Sequence, residues 1–170
     1  MARLKQLISL ARFDYTGPQT REEAKTLPVQ TGALPWRWGR NKRLEVLLVT
    51  GRRSRRWMIP KGWPMAGKTL AEAAAQEAFE EAGVKGKIDP EPLGSFNHVK
   101  QSLVAGALEV SILVHPMLVE RELGKWPEAG QRRRKWFSIE EAAEKVDSKE
   151  LKTLLAAAED TLAHPKRKTA

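Results

Sequence analysis

Residues 62–84 read GWPMAGKTLAEAAAQEAFEEAGV, and this stretch decides the fold. Thr69 and Glu72 have the spacing of a capping box, in which each side chain satisfies a free backbone N–H at a helix start, and Gly83 is placed to end the helix in a left-handed cap. Between these caps, at ~100° per residue, Glu77, Glu80 and Glu81 fall within about a quarter to a third of the circumference. The predicted helix contains no lysine or arginine to neutralise them. Like charges at i and i+4, here Glu77 and Glu81, oppose a helix by a few tenths of a kcal/mol unless a cation sits between them. A divalent metal is the simplest such cation, and carboxylate oxygens suit hard ions such as Mg2+ or Mn2+. The competing reading is a solvated acidic face. Ala71, Ala75, Ala78 and Ala82 make a small-residue stripe on another flank, so one side can press on a sheet while the acids face a cleft.

The flanking sequence is rich in strands. Val29 to Trp38 and Leu44 to Thr50 are β-compatible runs separated by the turn-like Gly39-Arg40-Asn41-Lys42, which predicts a hairpin, and Pro35 makes the first run an edge strand at best. Arg56 to Pro60 reads as a third strand, and Pro60-Lys61-Gly62 as the start of the loop into the glutamate helix. Lys87 to Lys100 and Leu103 to Val119 predict two long strands, the second carrying the apolar segment Val110 to Val114 expected of a central position. Arg134 to Phe137 gives a last strand. Ile139 to Val146 and Lys149 to Ala163 are helical, the latter with Leu151, Leu154, Leu155, Ala158 and Leu162 on one face. Residues 1–28 and 164–170 are expected to be peripheral arms, the second a basic tail, around one domain at 29–163.

Gly62 together with Glu77-Ala78-Phe79-Glu80-Glu81-Ala82-Gly83-Val84 resembles the Nudix box, G-x5-E-x7-R-E-U-x-E-E-x-G-U with U apolar, at the full spacing. Ser54 to Gly62 is similar to the strand that leads into the box. Lys135 to Ala142, KWFSIEEA, is similar to the closing strand and helix start of the diphosphoinositol polyphosphate phosphohydrolase branch. The resemblance runs from about Val29 to Val146. It implies an α/β fold, the Nudix α/β/α sandwich with a mixed sheet, and hydrolysis of phosphoanhydride bonds with Mg2+ or Mn2+. Glu77, Glu80 and Glu81 then carry the catalysis and hold the metal. Gly62 joins the metal set, as does Glu128, in the loop before the last strand where similar enzymes bring a further glutamate. Two positions depart from the box. Lys68 replaces the first glutamate and could meet a substrate phosphate. Gln76 replaces the arginine that in the family orients the glutamates; it can donate two hydrogen bonds but has no charge.

The charge balance points to the substrate. The 30 lysines and arginines exceed the 21 acids by nine, and the excess clusters at Arg52, Arg53, Arg55 and Arg56 and at Arg132 to Lys135. A guanidinium can grip two phosphate oxygens at once, so arginines around an anionic metal site suit a substrate with many phosphates. Arg53, Arg56, Lys61, Lys68, Arg132 and Arg134 are the expected substrate-binding residues; a solvated basic surface or a nucleic-acid patch is the alternative, and it is preferred for the tail. The leading function is a pyrophosphohydrolase acting on an inositol pyrophosphate, a dinucleoside polyphosphate such as a diadenosine polyphosphate, or polyphosphate. A nucleotide-sanitising or RNA 5′-end pyrophosphatase would lean on tryptophan stacking by Trp36, Trp38 or Trp63. A third reading, motivated by Lys68 and Gln76, is a catalytically weak phosphate-ligand or nucleic-acid binder. His98 and His115 are read as packed or surface residues.

With 170 residues, 41% of them hydrophobic, the chain can build one core and is short for two. Zero cysteines exclude a disulfide framework, a cysteine nucleophile and a thiolate metal site. The longest apolar stretch, Val110 to Val119, is interrupted and about half the ~20 residues a membrane span needs. A cytoplasmic monomer or homodimer that takes a small-molecule polyphosphate is the expectation.

Overall fold

A computed structural model describes residues 27–102 and 106–163. The expected arms at 1–28 and 164–170 lie outside this range except for Leu27 and Pro28, as does Leu103, the expected start of a strand. Eight strands form one mixed sheet. In chain order they are β1 (Val29–Trp38), β2 (Leu44–Thr50), β3 (Trp57–Met58), β4 (Lys61–Gly62), β5 (Val84–Ile88), β6 (Gly94–Ser102), β7 (Gly106–Glu122) and β8 (Arg134–Ser138). The helices are α1 (Leu70–Ala82), α2 (Ile139–Lys145) and α3 (Lys149–Ala163).

The period of two in the strands sorts the core into two layers. Ala33, Leu47, Val49 and Met117 face α1 through Ala74, Ala78 and Ala82. Their strand neighbours Leu34, Val46 and Leu48 face the opposite way, onto Ala142 of α2 and Leu151, Leu155 and Leu162 of α3. The result is an α/β/α sandwich. The small-residue stripe therefore runs through Ala74, not the expected Ala75, which is only half-buried. Alanines bring the axis of α1 close to the sheet, and a larger side chain at Ala78, which is fully buried, would overpack this layer by about 1–3 kcal/mol.

β1 is not an edge strand. It pairs in parallel with β7 from Val29↔Ser111 to Trp36↔Leu118, and antiparallel with β4 at Thr31 and Gly32 and with β2 at Trp36 to Trp38. Pro35 is tolerated because β1 changes partners there. Ala33 donates to Pro60 O at 3.0 Å, and Pro35, two residues on, aims the same way, at the gap between β4 and β2. Its missing N–H thus faces the changeover.

The expected strand from Lys87 to Lys100 is two strands. β5 and β6 lie end to end along one side of β7, pairing with Val84↔Glu122 to Ile88↔Met117 and Gly94↔Val114 to Ser102↔Gly106. Pro90 and Pro92 break the run, and Asp89 accepts from Glu91 N–H through its own side chain at 3.1 Å, a local turn that competes with the ladder.

The short β3 and β4 position the site. β2 diverges from β1 after Val46, and residues 57–62 wedge into the opening, β3 against Val49 and Thr50 and β4 against Thr31 and Gly32. The expected loop at Lys61-Gly62 is therefore held in the sheet, directly under the acidic flank of α1. The helix itself is capped as the sequence predicts. Thr69 Oγ1 accepts from Glu72 N–H at 3.1 Å, Glu72 Oε2 accepts from Thr69 N–H at 2.7 Å, and Gly83 takes φ 63°.

Candidate active site

Glu77, Glu80 and Glu81 point from α1 into a cleft of about 440 Å3 that Glu128 closes from the loop before β8. Gly62 admits Glu77: a Cβ on that glycine would stand 1.9 Å from Glu77 Oε1, so any side chain there would push the carboxylate out of its seat. Glu81 Oε2 accepts from the backbone N–H of Lys61 at 3.3 Å, and its Oε1 accepts from Arg132 Nη2 at 2.6 Å. Arg132 Nε donates to Glu128 Oε2, and its Nη1 donates to Thr50 O at 3.1 Å. Gln76 Nε2 donates to Glu80 Oε1 at 2.6 Å.

The loop that carries Glu128 and Arg132 is tied to the C-terminal end of α1. Leu123 N–H donates to Gly83 O at 2.8 Å, Trp126 Nε1 to Glu81 O at 3.2 Å, and Glu128 N–H to Glu80 O at 3.1 Å. Arg134 completes the join. It donates to Ala82 O at 2.7 Å, Gly83 O at 3.2 Å and Leu123 O at 2.9 Å, and its guanidinium stacks 4.0 Å from the Trp126 ring centroid. A cation on the last carbonyls of a helix satisfies orphan acceptors and opposes the dipole.

Four acids in one cleft disturb one another. Burial, then the charges of Glu81, Glu80 and Glu128, push the Glu77 carboxyl up to about 7. Burial also raises Glu81, against the opposing pull of Arg132 and Lys61. Lys61 is lowered by its own burial, with Lys100 and Arg132 adding to the effect and Glu81 opposing it. Burial is the main cause of both carboxyl shifts, since the four carboxylates share the cleft with Arg52, Lys61, Lys100 and Arg132.

This chemistry fits a hard divalent cation, which Glu77, Glu80 and Glu81 would hold with Gly62 and Glu128 beside them. Among the described residues, no three acidic or histidine side chains already stand in a coordinating arrangement. Arg132 engages one oxygen of Glu81 and one of Glu128, and Gln76 engages one of Glu80.

The expected substrate-binding residues divide. Lys61 and Arg132 line the cleft. Arg53 is exposed at a turn and Lys68 is exposed ahead of α1, neither lining the cleft. Arg56 pairs with Asp147 at 3.4 Å, and Arg134 serves the helix end. Arg52, from the first arginine cluster, and Trp63, a stacking candidate, also line the cleft, whereas the polar lining residues Gln30 and Lys100 escaped the sequence reading of the site. Strand parity could have flagged Lys100, which shares a face of β6 with Phe96; nothing local marks Gln30. Trp36 packs on the core, and Trp38 belongs to a separate cavity of about 600 Å3 at the β1–β2 turn, which holds no group of acids. His98 lies near Lys61 and Lys100, and burial followed by those two charges lowers it to about 4. His115 is buried in β7 with Nδ1 3.0 Å from Asp89 O.

The comparisons with known proteins agree with this geometry. Residues 30–157 match the NUDIX domain family. The chain is 32% identical over 133 residues to Nudix hydrolase 18, mitochondrial, of Arabidopsis thaliana, covering 75% of this chain and 73% of that protein. It is 35% identical over 101 residues to diphosphoinositol polyphosphate phosphohydrolase 3-beta of Bos taurus, covering 58% and 57%. In fold it is similar to the C. elegans Ap4A hydrolase in a binary complex, with TM-score 0.60, 21% identity, and 79% of this chain and 97% of that one covered.

Proposed function

Because the chain belongs to the Nudix family and is a phosphoanhydride hydrolase, we propose that it cleaves a highly phosphorylated small molecule, an inositol pyrophosphate, a dinucleoside polyphosphate or polyphosphate, with Mg2+ or Mn2+. The observation that carries this reading is the pairing of four carboxylates with a basic rim: Glu77, Glu80, Glu81 and Glu128 on one side, Arg52, Lys61, Lys100 and Arg132 on the other.

A divalent cation bound by the glutamates would neutralise phosphate charge and acidify water. The rest falls to the chain. Burial pushes the Glu77 and Glu81 carboxyls of the metal-free cleft up to about 7, and one of these glutamates would accept the proton of the attacking water. Arg52, Lys61 and Lys100 bind and orient the phosphates not being cleaved, which turns binding energy into alignment. Arg53, Arg56 and Lys68 stand further out and would meet only a long polyphosphate chain.

Trp63 supports a second reading. It lines the cleft with Lys100 Nζ 5.5 Å from its ring centroid, a platform suited to a nucleotide base. The domain is taken as 29–163 with flanking arms. Among the described residues no helix is long and apolar enough to cross a membrane. The cytoplasm is proposed as the location, with imaging of the tagged chain as its test, because the relative named above is mitochondrial. Cleavage of diphosphoinositol pentakisphosphate, diadenosine tetraphosphate, polyphosphate and a nucleoside triphosphate, each with Mg2+ or Mn2+ and followed by chromatography of the products, separates the readings. Preference for the first three supports the leading one, and preference for the triphosphate overturns it.

A further inference from the structure

Helix α1 carries Glu77, Glu80 and Glu81 on its cleft flank and no cation anywhere, and the side chain one residue before them, Gln76, has committed its amide to Glu80. The charge that the acids need comes from elsewhere in the chain. Arg132 is only 8% exposed, and its Nε, Nη1 and Nη2 each have a partner: Glu128, Thr50 O and Glu81. One guanidinium thereby joins the helix, the loop and the end of β2.

Its backbone is fixed as well. Next to it Arg133 N–H donates to Thr50 Oγ1 at 2.9 Å, and Thr50 N–H returns a bond to Arg133 O at 2.9 Å. Lys61, the other buried cation nearby, could not do the same work, because an ammonium lacks the planar fork that sets two carboxylates at a fixed angle. The fork also leaves acceptors available. Arg52 Nη1 stands 3.9 Å from Glu128 Oε1, too far for a hydrogen bond.

We propose that Arg132 is a positioning residue of the carboxylate cleft, holding Glu81 and Glu128 in register and supplying from the loop before β8 the cation that α1 lacks at Gln76. The inference rests on the metal-dependent hydrolase reading. Arg132 then acts through the glutamates and not on the substrate, although it belongs by sequence to an arginine run that suggests phosphate binding.

The test compares Arg132→Lys, which keeps the charge and loses the fork, with Gln76→Arg and the double variant. Mn2+ affinity is read by electron paramagnetic resonance, and kcat and KM are read on diadenosine tetraphosphate. Arg132→Lys should weaken Mn2+ binding and lower kcat by about 10–100-fold, the scale for partners that orient metal ligands, with KM changed less than about threefold. The double variant should recover most of both losses. Wild-type Mn2+ affinity and kcat in Arg132→Lys, a raised KM at unchanged kcat, or no recovery in the double variant would each overturn the proposal. A native chain that binds no Mn2+ would sink the metal reading itself. A native chain that binds Mn2+ without turnover leaves the affinity comparison to decide the role of Arg132.

Discussion

The two arginine runs look alike in sequence and have opposite fates in the fold. Arg52, Arg53, Arg55 and Arg56 occupy the turn between β2 and β3, and the side chains of Arg52 and Arg56 are 58% and 73% exposed. Arg132 and Arg134, across the same strand ends, are 8% and 19% exposed and bind carboxylates and backbone carbonyls. The difference is one of available partners. The second run leads into β8 beside the C-terminal end of α1, where orphan carbonyls and unpaired acids wait, whereas the first looks mostly to water. A cation run therefore says little about phosphate binding until its partners are known.

Stability should separate the runs most. Arg134→Ala removes two hydrogen bonds from the end of α1, one from Leu123 O and the stack on Trp126, and should cost about 2–3 kcal/mol, lowering Tm by roughly 5–10 °C. Arg56→Ala breaks one exposed pair with Asp147 and should stay within about 0.5 kcal/mol. Equal effects in thermal melts would erase the distinction.

A pH titration reads the acids beside the second run, because burial raises both Glu77 and Glu81 to about 7 although Arg132 bonds only Glu81 of the two. The Glu77 carboxyl is raised in the folded state to about 7 from 4.5. Between those values the folded chain binds more protons than the unfolded one, so the metal-free protein should lose stability as pH rises from about 4.5 to 7. The scale is about 2 kcal/mol after allowing for partial exposure. Glu77→Gln should lessen the slope, leaving the part that Glu81 supplies, and raise the metal-free Tm at pH 7.5. A native profile that climbs across the window would contradict the assignment.

The exposed run should show itself in binding. Arg52→Ala should weaken a polyphosphate substrate by about 1 kcal/mol, more at low salt than at high, and should affect a substrate with a single pyrophosphate much less. Equal losses for both would make Arg52 general surface charge.

Much of the fold was legible because local rules sufficed. The capping box of α1, its glycine cap, β2, β8 and α3 follow from side-chain chemistry and period alone. The errors had two sources. Pro35 sits in a central strand because β1 changes partners at that point, a tertiary pairing that overrides a local rule, whereas the break within Lys87 to Lys100 is marked locally by Pro90, Pro92 and the Asp89 turn. Lys61-Gly62 could not be recognised as a strand, since two residues carry no period. In the site, the grouping of Glu77, Glu80 and Glu81 could be read from helical spacing, whereas Arg132 between Glu81 and Glu128 depends on a contact across 51 positions.

The central claim is that the carboxylate cleft performs metal-dependent phosphoanhydride hydrolysis, and it is tested by the rate of mononucleotide release from diadenosine tetraphosphate, with saturating Mg2+ and with excess chelator, for the native chain and Glu81→Gln. The account predicts that chelator abolishes release and that Glu81→Gln lowers kcat by at least about a thousandfold, some 4 kcal/mol of transition-state stabilisation, with the fold intact by circular dichroism. Undiminished release in chelator, or native rates in Glu81→Gln, would contradict it.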